Sequence, residues 1–553
     1  MTAEAILYKE NDPLLRYAIY KAYKYRCAYT GKFLYDYSSI HLDHIIPQDT
    51  APEVLQEKIR KYHLADDFTI DSLENILPTK SLHNNSQKNR HPFSEPAEHF
   101  DAIIIGFGKG GKLLAADLAN RGQQVAIIER SAAMYGGSCI NIACIPTKAL
   151  IHQAQMIKEL NLASFEEKAA AYRKAIIKKN EITTALRKLN FDRLNDHPNI
   201  TVYTGVASFR SSRKIEVTTE TDRLEIEGKR IFIDTGALPV IPPISGIRES
   251  RRVYTSTSLL ELDLLPETLV IIGGGYIGLE FASMFAAFGS KVIVLENTTE
   301  FLSREDRTIA EAVRKVMENQ GIEFHFSIEM QSIQDTDEET VVTYRDTTDK
   351  TQHSLFANAV LVATGRQPNT ESLDPGVAGI HLNEHGAIIV NEYLQTTASD
   401  IWALGDVSGG KQFTYISQDD YRIIRDQLFG KGSRTIVDRE PVVYTVFIDP
   451  PLSRIGLTEQ EAIAKGYEVM TKTIPVEAIP RARVSGNTNG VLKSVVNAKN
   501  GKILGCTLFC IDSGEVINNV ALVMKAGLDY SSLRDQIYTH PSMSEALNDL
   551  FSF

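Results

Sequence analysis

The chain has 553 residues, 43% hydrophobic and 23% charged, with 59 Lys and Arg against 70 Asp and Glu, a formal net charge of −11. This ordinary globular composition excludes a disordered, collagen-like or mainly coiled-coil chain, the length predicts about three or four domains, and the acidic balance argues against a general nucleic-acid coat protein. Five cysteines do not make a disulfide scaffold, no apolar run approaches the roughly 18 residues of a membrane span, and the start MTAEAILYKENDP lacks a signal peptide's basic flank and apolar core, so the expectation is a cytoplasmic protein with no membrane partner.

The first hundred residues differ from the rest. Six of the 13 histidines fall there: His41, His44, His63, His83, His91 and His99. The segments Cys27-Ala-Tyr-Thr-Gly31-Lys, Ile40-His-Leu-Asp43-His44-Ile-Ile-Pro47, Glu74-Asn75-Ile-Leu-Pro-Thr and Asn85-Ser-Gln-Lys88 follow one another in an informative order. They resemble the HNH (ββα-metal) endonuclease module, over about residues 20–91. Such a module needs a divalent cation held by hard oxygen ligands beside a general base. The resemblance implies Asp43 and Asn85 as ligands of Mg²⁺ or Mn²⁺, His44 as the base that activates water, and Asn75 as the residue that positions the His44 loop. His83 reads as a neighbour of Asn85. Only Cys27 is present where many such modules carry zinc-binding cysteine pairs, so a zinc-free form is expected. The net charge of residues 1–100 is −2, from 12 Lys and Arg and 14 Asp and Glu. DNA would therefore have to be met by local clusters such as Arg16, Lys21, Lys24 and Arg26, or Lys80, Lys88 and Arg90. An active nuclease and a docking module both fit.

A polar stretch with two prolines, Ser86 to Phe100, reads as a linker. After it a pattern occurs twice. Ala102–Ile105 runs into Gly106-x-Gly108-x-x-Gly111, and a second apolar strand ends at Glu129. Leu269–Ile272 runs into Gly273-x-Gly275-x-x-Gly278, and a second strand ends at Glu296. First glycine and acid are 23 residues apart in both copies, and each copy later has an apolar strand ending in Thr-Gly, at Gly236 and Gly365. The first glycine permits a tight strand-to-helix turn, the second lets the backbone approach a pyrophosphate, and the third lets helix and strand pack closely. The helix N-terminus then offers N–H groups to the phosphates. Glu129 and Glu296 are placed to accept from a ribose diol. A carboxylate at Glu296, with no arginine directly after it, repels a 2′-phosphate and favours NADH over NADPH.

Between the copies lies Gly136-Gly137-Ser138-Cys139-Ile-Asn-Ile-Ala-Cys144-Ile-Pro-Thr-Lys148. Two of the five cysteines stand five apart at the start of an expected helix, where a thiolate is favoured. Lys148 follows one turn later on the same face. With these residues the chain resembles the pyridine nucleotide–disulfide oxidoreductases, over about residues 101–553. The resemblance implies FAD in the first nucleotide domain and NAD(P)H in the second. It implies Cys139 as the interchange thiol and Cys144 as the thiol in charge-transfer contact with the flavin. Lys148 would sit near the flavin and pair with Glu280 of Gly275-Tyr276-Ile-Gly278-Leu-Glu280, and Tyr276 would cover the nicotinamide pocket. Gly405-Asp406 matches the family's second FAD motif, with Asp406 on the ribityl chain. Near the end, His540 and Glu545 could form an oriented acid/base pair. In the family the matching pair serves the partner's outer thiol, which implies a homodimer.

The chain ends Leu550-Phe-Ser-Phe553 without the further cysteine pair of mercuric reductases. Gly106-Phe-Gly-Lys-Gly-Gly111-Lys, Met134-Tyr-Gly-Gly, Pro450-Pro-Leu-Ser-Arg-Ile-Gly and the stretch Asp535 to Phe551 resemble the reactive-chlorine-resistance (RclA-type) branch. That branch implies oxidative-stress defence and NADH-driven reduction of copper(II), a disulfide or another oxidant. Cys506 and Cys510 alternate within an expected strand and read as buried packing.

The expected fold class is α/β: two Rossmann-like three-layer nucleotide-binding domains and an α+β dimerisation domain, preceded by a small HNH domain. The expected limits are 1–99 for the HNH-like domain, 100–250 and 376–440 for the two parts of the FAD domain, 251–375 for the NAD(P) domain and 441–553 for dimerisation. Two functions fit: a redox enzyme with an accessory nuclease module, or an endonuclease gated by NADH or redox state in stress or phage defence.

Overall fold

The computed structural model describes residues 98–553, together with two short strands, β1 (Ile40–His44) and β2 (Ile76–Lys80). In chain order there follow β3 (Glu98–Ile105), α1 (Lys109–Asn120), β4 (Val125–Glu129), the short α2 (Ser138–Asn141), α3 (Cys144–Glu159) and the long α4 (Phe165–Asn195). Next come β5 (Ile200–Thr204), β6 (Val206–Phe209), β7 (Lys214–Thr218), β8 (Arg223–Ile233), β9 (Ala237–Pro239), β10 (Val253–Thr255), β11 (Thr268–Ile272), α5 (Tyr276–Phe288) and β12 (Lys291–Leu295). Then α6 (Arg307–Asn319), β13 (Ile322–His325), β14 (Ile328–Asp335), β15 (Thr340–Asp346), β16 (Gln352–Ala357), β17 (Ala359–Val362), β18 (Arg366–Pro368), β19 (Ile401–Ala403) and α7 (Thr414–Phe429). The last part holds β20 (Tyr444–Val446), β21 (Leu452–Gly456), α8 (Glu459–Ala464), β22 (Val469–Pro475), β23 (Val491–Asn497), β24 (Ile503–Phe509) and α9 (Ser513–Lys525).

The chain divides into two compact units. The described part of the first is 40–44, 76–80, 98–137, 186–236 and 368–434. Its sheet runs β5-β4-β3-β8-β7-β6, with β19 also on β8. β3, β4, β5, β8 and β19 are parallel, and the β6–β7–β8 portion is antiparallel. Ala102–Ile105 and Val125–Glu129 are buried at every position, as central parallel strands covered on both faces must be. One core joins Ile103, Ile105, Ile128, Phe209, Ile233 and Ile401.

The second unit is 138–185, 237–367 and 435–553. Its parallel sheet runs β10-β17-β11-β12-β13, beside an antiparallel meander β14-β15-β16. A third sheet, β20-β21-β24-β23-β22, is antiparallel. α9 covers it through Val516, Ile517 and Val520, which join the core of Leu492, Val496 and Leu508. Cys506 is 1% exposed and Cys510 is fully buried, as the alternation predicts; burial pushes the Cys510 thiol up to about 12. β1 and β2 pair antiparallel, Asp43 opposite Leu77 and His44 opposite Ile76. Among the described residues, no helix is long and apolar enough to cross a membrane.

Candidate active site

The two glycine loops have the same backbone. Gly106 has φ +105° and Gly273 has φ +109°, a left-handed conformation that only glycine adopts cheaply. A Cβ at Gly106 would lie 2.1 Å from the Asp234 carbonyl oxygen, and one at Gly273 would lie 2.6 Å from that of Ala363. The acids are held alike too. Glu129 accepts from Phe107 N at 3.2 Å and Ser131 N at 3.3 Å. Glu296 accepts from Gly274 N at 2.6 Å and Thr298 N at 3.0 Å. In each case one N–H follows the first glycine and the other comes two residues after the acid. This clamp aims both carboxylates across the C-terminal ends of their strands.

The loops differ behind the turn. The sequence reading has both helix N-termini offer their N–H groups outward. In the first loop, Gly110 N instead donates to Ser417 Oγ at 2.9 Å and Gly111 N to Asp234 Oδ2 at 2.7 Å. Asp234 thus caps α1 from the neighbouring strand, and a Cβ at Gly108 would lie 2.5 Å from its carboxylate. Burial pushes the Asp234 carboxyl well above the usual range, the Gly111 N–H opposes this, and Asp406 and Asp420 push it further up. Ala363 occupies the corresponding place in the second copy, and a Cβ at Gly275 would meet none of the described residues within 4 Å. Glu129 is 8% exposed, and burial raises its carboxyl to about 7 against the N–H groups of Ser131 and Phe107.

Asp406 lies in the 3₁₀ turn Gly405–Ser408, whose Gly405 N donates to Asp420 Oδ2 at 2.7 Å. Gly137 has φ +80°, and a Cβ on it would lie 2.8 Å from Gly108 Cα. The loop before the cysteines therefore touches the first glycine loop. Gly365 has φ +121° and its carbonyl accepts from Val240 N.

Ser138 and Cys139 open α2, and Cys144 is the first residue of α3. Both cysteines are half-exposed. A thiolate at Cys144 meets the positive end of a 16-residue helix that has no acid in its first turn. Lys148, one turn on, lies 2.7 Å from Glu280 of α5 and 4.6 Å from the ring centroid of Phe447. The other Glu280 oxygen accepts from Phe447 N at 2.9 Å. Tyr276, the first residue of α5, donates to Glu305 Oε1 at 2.6 Å and stacks on Tyr444 at 5.6 Å. His540 Nδ1 lies 2.8 Å from Glu545 Oε2; the histidine side chain is 69% exposed and the glutamate 19%. Asp43 and His44 are the last two residues of β1, and Asn85, like Asn75 and His83, lies outside the described residues.

Two family models match the chain. Residues 100–420 match the pyridine nucleotide-disulphide oxidoreductase model, and residues 442–551 match the dimerisation domain of the same family. The chain belongs to the pyridine nucleotide-disulphide oxidoreductase family. It is 52% identical over 454 residues to the probable pyridine nucleotide-disulfide oxidoreductase RclA of Escherichia coli K12, covering 82% of this chain and 99% of that one. It is 34% identical over 454 residues to the mercuric reductase of Staphylococcus aureus, 81% of each chain. A solved Cu(II) complex of the HOCl-induced flavoprotein disulfide reductase RclA from Escherichia coli superposes with a TM-score of 0.78 at 51% identity, over 82% of this chain and 99% of that one. The family's α/β architecture, with two Rossmann-like nucleotide domains and a dimerisation domain, is thus established for residues 100–551, and the chain is an oxidoreductase. These family matches begin at residue 100.

Sequence reasoning missed Asp234, Ser417, Glu305 and Tyr444. For Asp234 a signal existed: the first copy reads Ile233-Asp234-Thr235-Gly236 where the second reads Val362-Ala363-Thr364-Gly365.

Proposed function

We propose that this oxidoreductase uses NADH and FAD to reduce an oxidant through a Cys139–Cys144 redox pair. The observation that carries the reading is Cys144 at the N-terminus of α3, with Lys148 one turn on, bound to Glu280 of the helix that follows the second glycine loop. The residues fit the two cofactors. Among the described residues no atom lies within 4 Å of a Cβ placed on Gly275, whereas a pyrophosphate laid against the backbone favours glycine there. We assign Gly106, Gly108, Gly111, Glu129, Gly137, Ser138, Lys148 and Asp406 to FAD, and Gly273, Gly275, Tyr276, Gly278, Glu280, Glu296 and Gly365 to NADH. When bound, FAD would relay two electrons from NADH to the cysteine pair.

The chain's own residues have separable tasks. Glu296 accepts the ribose hydroxyls and disfavours a 2′-phosphate. Tyr276 covers the nicotinamide place and moves aside for it. The N-terminus of α3 stabilises a thiolate at Cys144, and Cys139 is the thiol that meets the oxidant. Lys148 presents a positive charge whose position Glu280 holds. His540, held by Glu545, exchanges a proton with Cys139 of the partner subunit in a homodimer. For the oxidant we propose copper(II), because a similar flavoprotein has been solved with that ion: one NADH gives NAD⁺, a proton and two copper(I). A disulfide would take the same two electrons but consume a proton, NADH, H⁺ and the disulfide giving NAD⁺ and two thiols, and the setting would be oxidative stress. Anaerobic titration tests the reading. Purified protein should be yellow, take up two electrons per chain beyond the flavin, and lose that extra capacity in Cys139→Ser and Cys144→Ser with FAD retained. Equal electron uptake by wild type and both variants would refute it.

A second reading concerns the residues before 98. We propose that they form an HNH-type module with Asp43, Asn85 and Mg²⁺ or Mn²⁺, and His44 as base, able to act on DNA. It is supported by the antiparallel β1–β2 pair with Asp43 and His44 at the end of its first strand. Plasmid nicking in Mg²⁺ and Mn²⁺, with and without NADH, tests it and shows whether NADH gates cleavage. His44→Ala should abolish nicking and spare NADH oxidation. Failure of the wild type to nick under all conditions leaves a docking module.

A further inference from the structure

Glu305 is a carboxylate with no exposed side-chain surface, and burying such a charge is costly unless donors surround it. Three donors do. Its Oε1 accepts from the hydroxyls of both Tyr276 and Tyr444, and its Oε2 faces Arg454 Nη1 at 3.5 Å. Arg454 is itself anchored, donating to the Arg304 carbonyl at 2.6 Å and to the carboxylate of Glu461. Asp306, the next residue, binds the buried Lys493 at 2.8 Å. The acceptor is therefore fixed from several sides, while Tyr276 sits at the first turn of α5 next to Gly275, around which the protein leaves open space. Within this cluster the Tyr276 ring is held by its hydrogen bond to Glu305 and its stack on Tyr444.

We propose that Glu305 is a positioning residue, a latch that holds Tyr276 in its closed place and so sets the fraction of molecules open to NADH. The inference rests on the reading of Tyr276 as the nicotinamide cover. To swing aside, the ring must give up a hydrogen bond to a charged acceptor and its stack on Tyr444. Charge-assisted bonds are about twice as strong as neutral ones. The apparent affinity for a ligand is reduced by the fraction of protein in the competent state, so weakening the latch tightens NADH binding. Tyr444, stacked on Tyr276, is a second donor to the same oxygen.

The test compares holoenzymes. Tyr276→Phe keeps the ring and deletes the bond; Glu305→Gln keeps an acceptor and deletes the charge. Tyr276→Phe should lower both the KM for NADH and the dissociation constant of NAD⁺, measured by calorimetry, by about tenfold, the change expected for loss of one hydrogen bond to a charged group. Glu305→Gln should lie between it and wild type. The double variant should match Tyr276→Phe, because both changes act on one bond. Tyr276→Ala separates the two ideas. If it alters NAD⁺ binding while Tyr276→Phe and Glu305→Gln match wild type, the latch is wrong and the cover stands. If Tyr276→Ala also binds NAD⁺ and NADH like wild type, the cover reading fails and the latch fails with it. Additive effects in the double variant would likewise overturn the latch.

Discussion

Lys148 Nζ lies 2.7 Å from Glu280 Oε2, though 132 residues separate them in sequence. The pair joins the helix that begins at Cys144 to the helix that begins at the second glycine loop. It is partly sheltered, with Lys148 32% and Glu280 13% exposed. The lysine also lies over the Phe447 ring, and the Phe447 N–H fixes the second carboxylate oxygen. The lysine is thus placed by two contacts of its own, and a third fixes its partner carboxylate.

The first prediction follows from that geometry. Glu280→Gln retains the shape and the Phe447 N–H bond but removes the charge opposite Lys148. NADH-dependent turnover should fall about tenfold, the kinetic equivalent of one lost charge-assisted hydrogen bond. Stopped-flow reduction by NADH measures it. A rate within twofold of wild type would show that the pair is only a strut.

Glu296 predicts cofactor choice. Its two oxygens are aimed by Gly274 N and Thr298 N. A ribose diol gains a bond to a charged acceptor there, and a 2′-phosphate meets repulsion. NADH should exceed NADPH in kcat/KM by roughly tenfold to hundredfold. Glu296→Ala should narrow that ratio, since a favourable bond and a repulsive charge both vanish. Equal efficiencies in the wild type would contradict the assignment.

Glu129 makes a pH prediction. Burial raises its carboxyl from the usual 4.5 to about 7, so the folded protein holds this proton more tightly than the unfolded chain does. The resulting stabilisation is complete below about pH 4.5 and is lost as pH rises to about 7, at up to about 1.4 kcal/mol per pH unit. Glu129→Gln is neutral throughout and should show a flatter decline in this window. Thermal melting of FAD-stripped protein across pH 4.5 to 8 measures it; parallel curves for the two proteins would refute the assignment.

The doubled glycine loops were legible because their constraint is local. Gly106 and Gly273 turn a strand into a helix within a few residues, and Glu129 and Glu296 are clamped by N–H groups of their own loops. The start of α3 at Cys144 was legible for the same reason. Asp234 and Glu305 were not read, because each works on a partner far away in sequence: Gly111 lies 123 residues from Asp234, and Tyr444 lies 139 from Glu305. No spacing rule marks the Glu305 contact, and the repeat marks Asp234 only as a departure from Ala363 without naming its partner. The Lys148–Glu280 pair is equally distant, and it was anticipated through the family resemblance, not through any pattern in the residues.

Asp234 carries a prediction because its counterpart in the second loop is Ala363. Its carboxyl is raised, chiefly by burial, so it too stabilises the fold most at low pH and contributes less as pH rises through its folded value. The charged groups facing it are Asp406, Asp420 and Lys112. Asp234→Asn keeps an acceptor for Gly111 N without a charge that can form beside the loop. The variant should hold FAD at least as well as wild type, with the advantage growing toward alkaline pH. FAD release, followed by the rise in flavin fluorescence between pH 6 and 9, measures this. Faster release from the variant at every pH would show that the ionised carboxylate is what the loop needs.

The last prediction concerns which chain serves which site. His540 is exposed yet hydrogen-bonded to the half-sheltered Glu545, so its ring is oriented toward solvent on the dimerisation domain. If it serves the cysteines of the partner subunit, mixed dimers will reveal it. Cys144→Ser and His540→Ala homodimers should both be inactive toward the oxidant. A dimer of one chain of each kind would keep one complete site, made from the intact cysteines of the His540→Ala chain and the intact histidine of the Cys144→Ser chain. Random mixing of equal amounts should therefore restore about a quarter of wild-type turnover in a twofold-symmetric dimer. If His540 instead serves its own chain, both sites of the mixed dimer are broken, and mixing restores nothing.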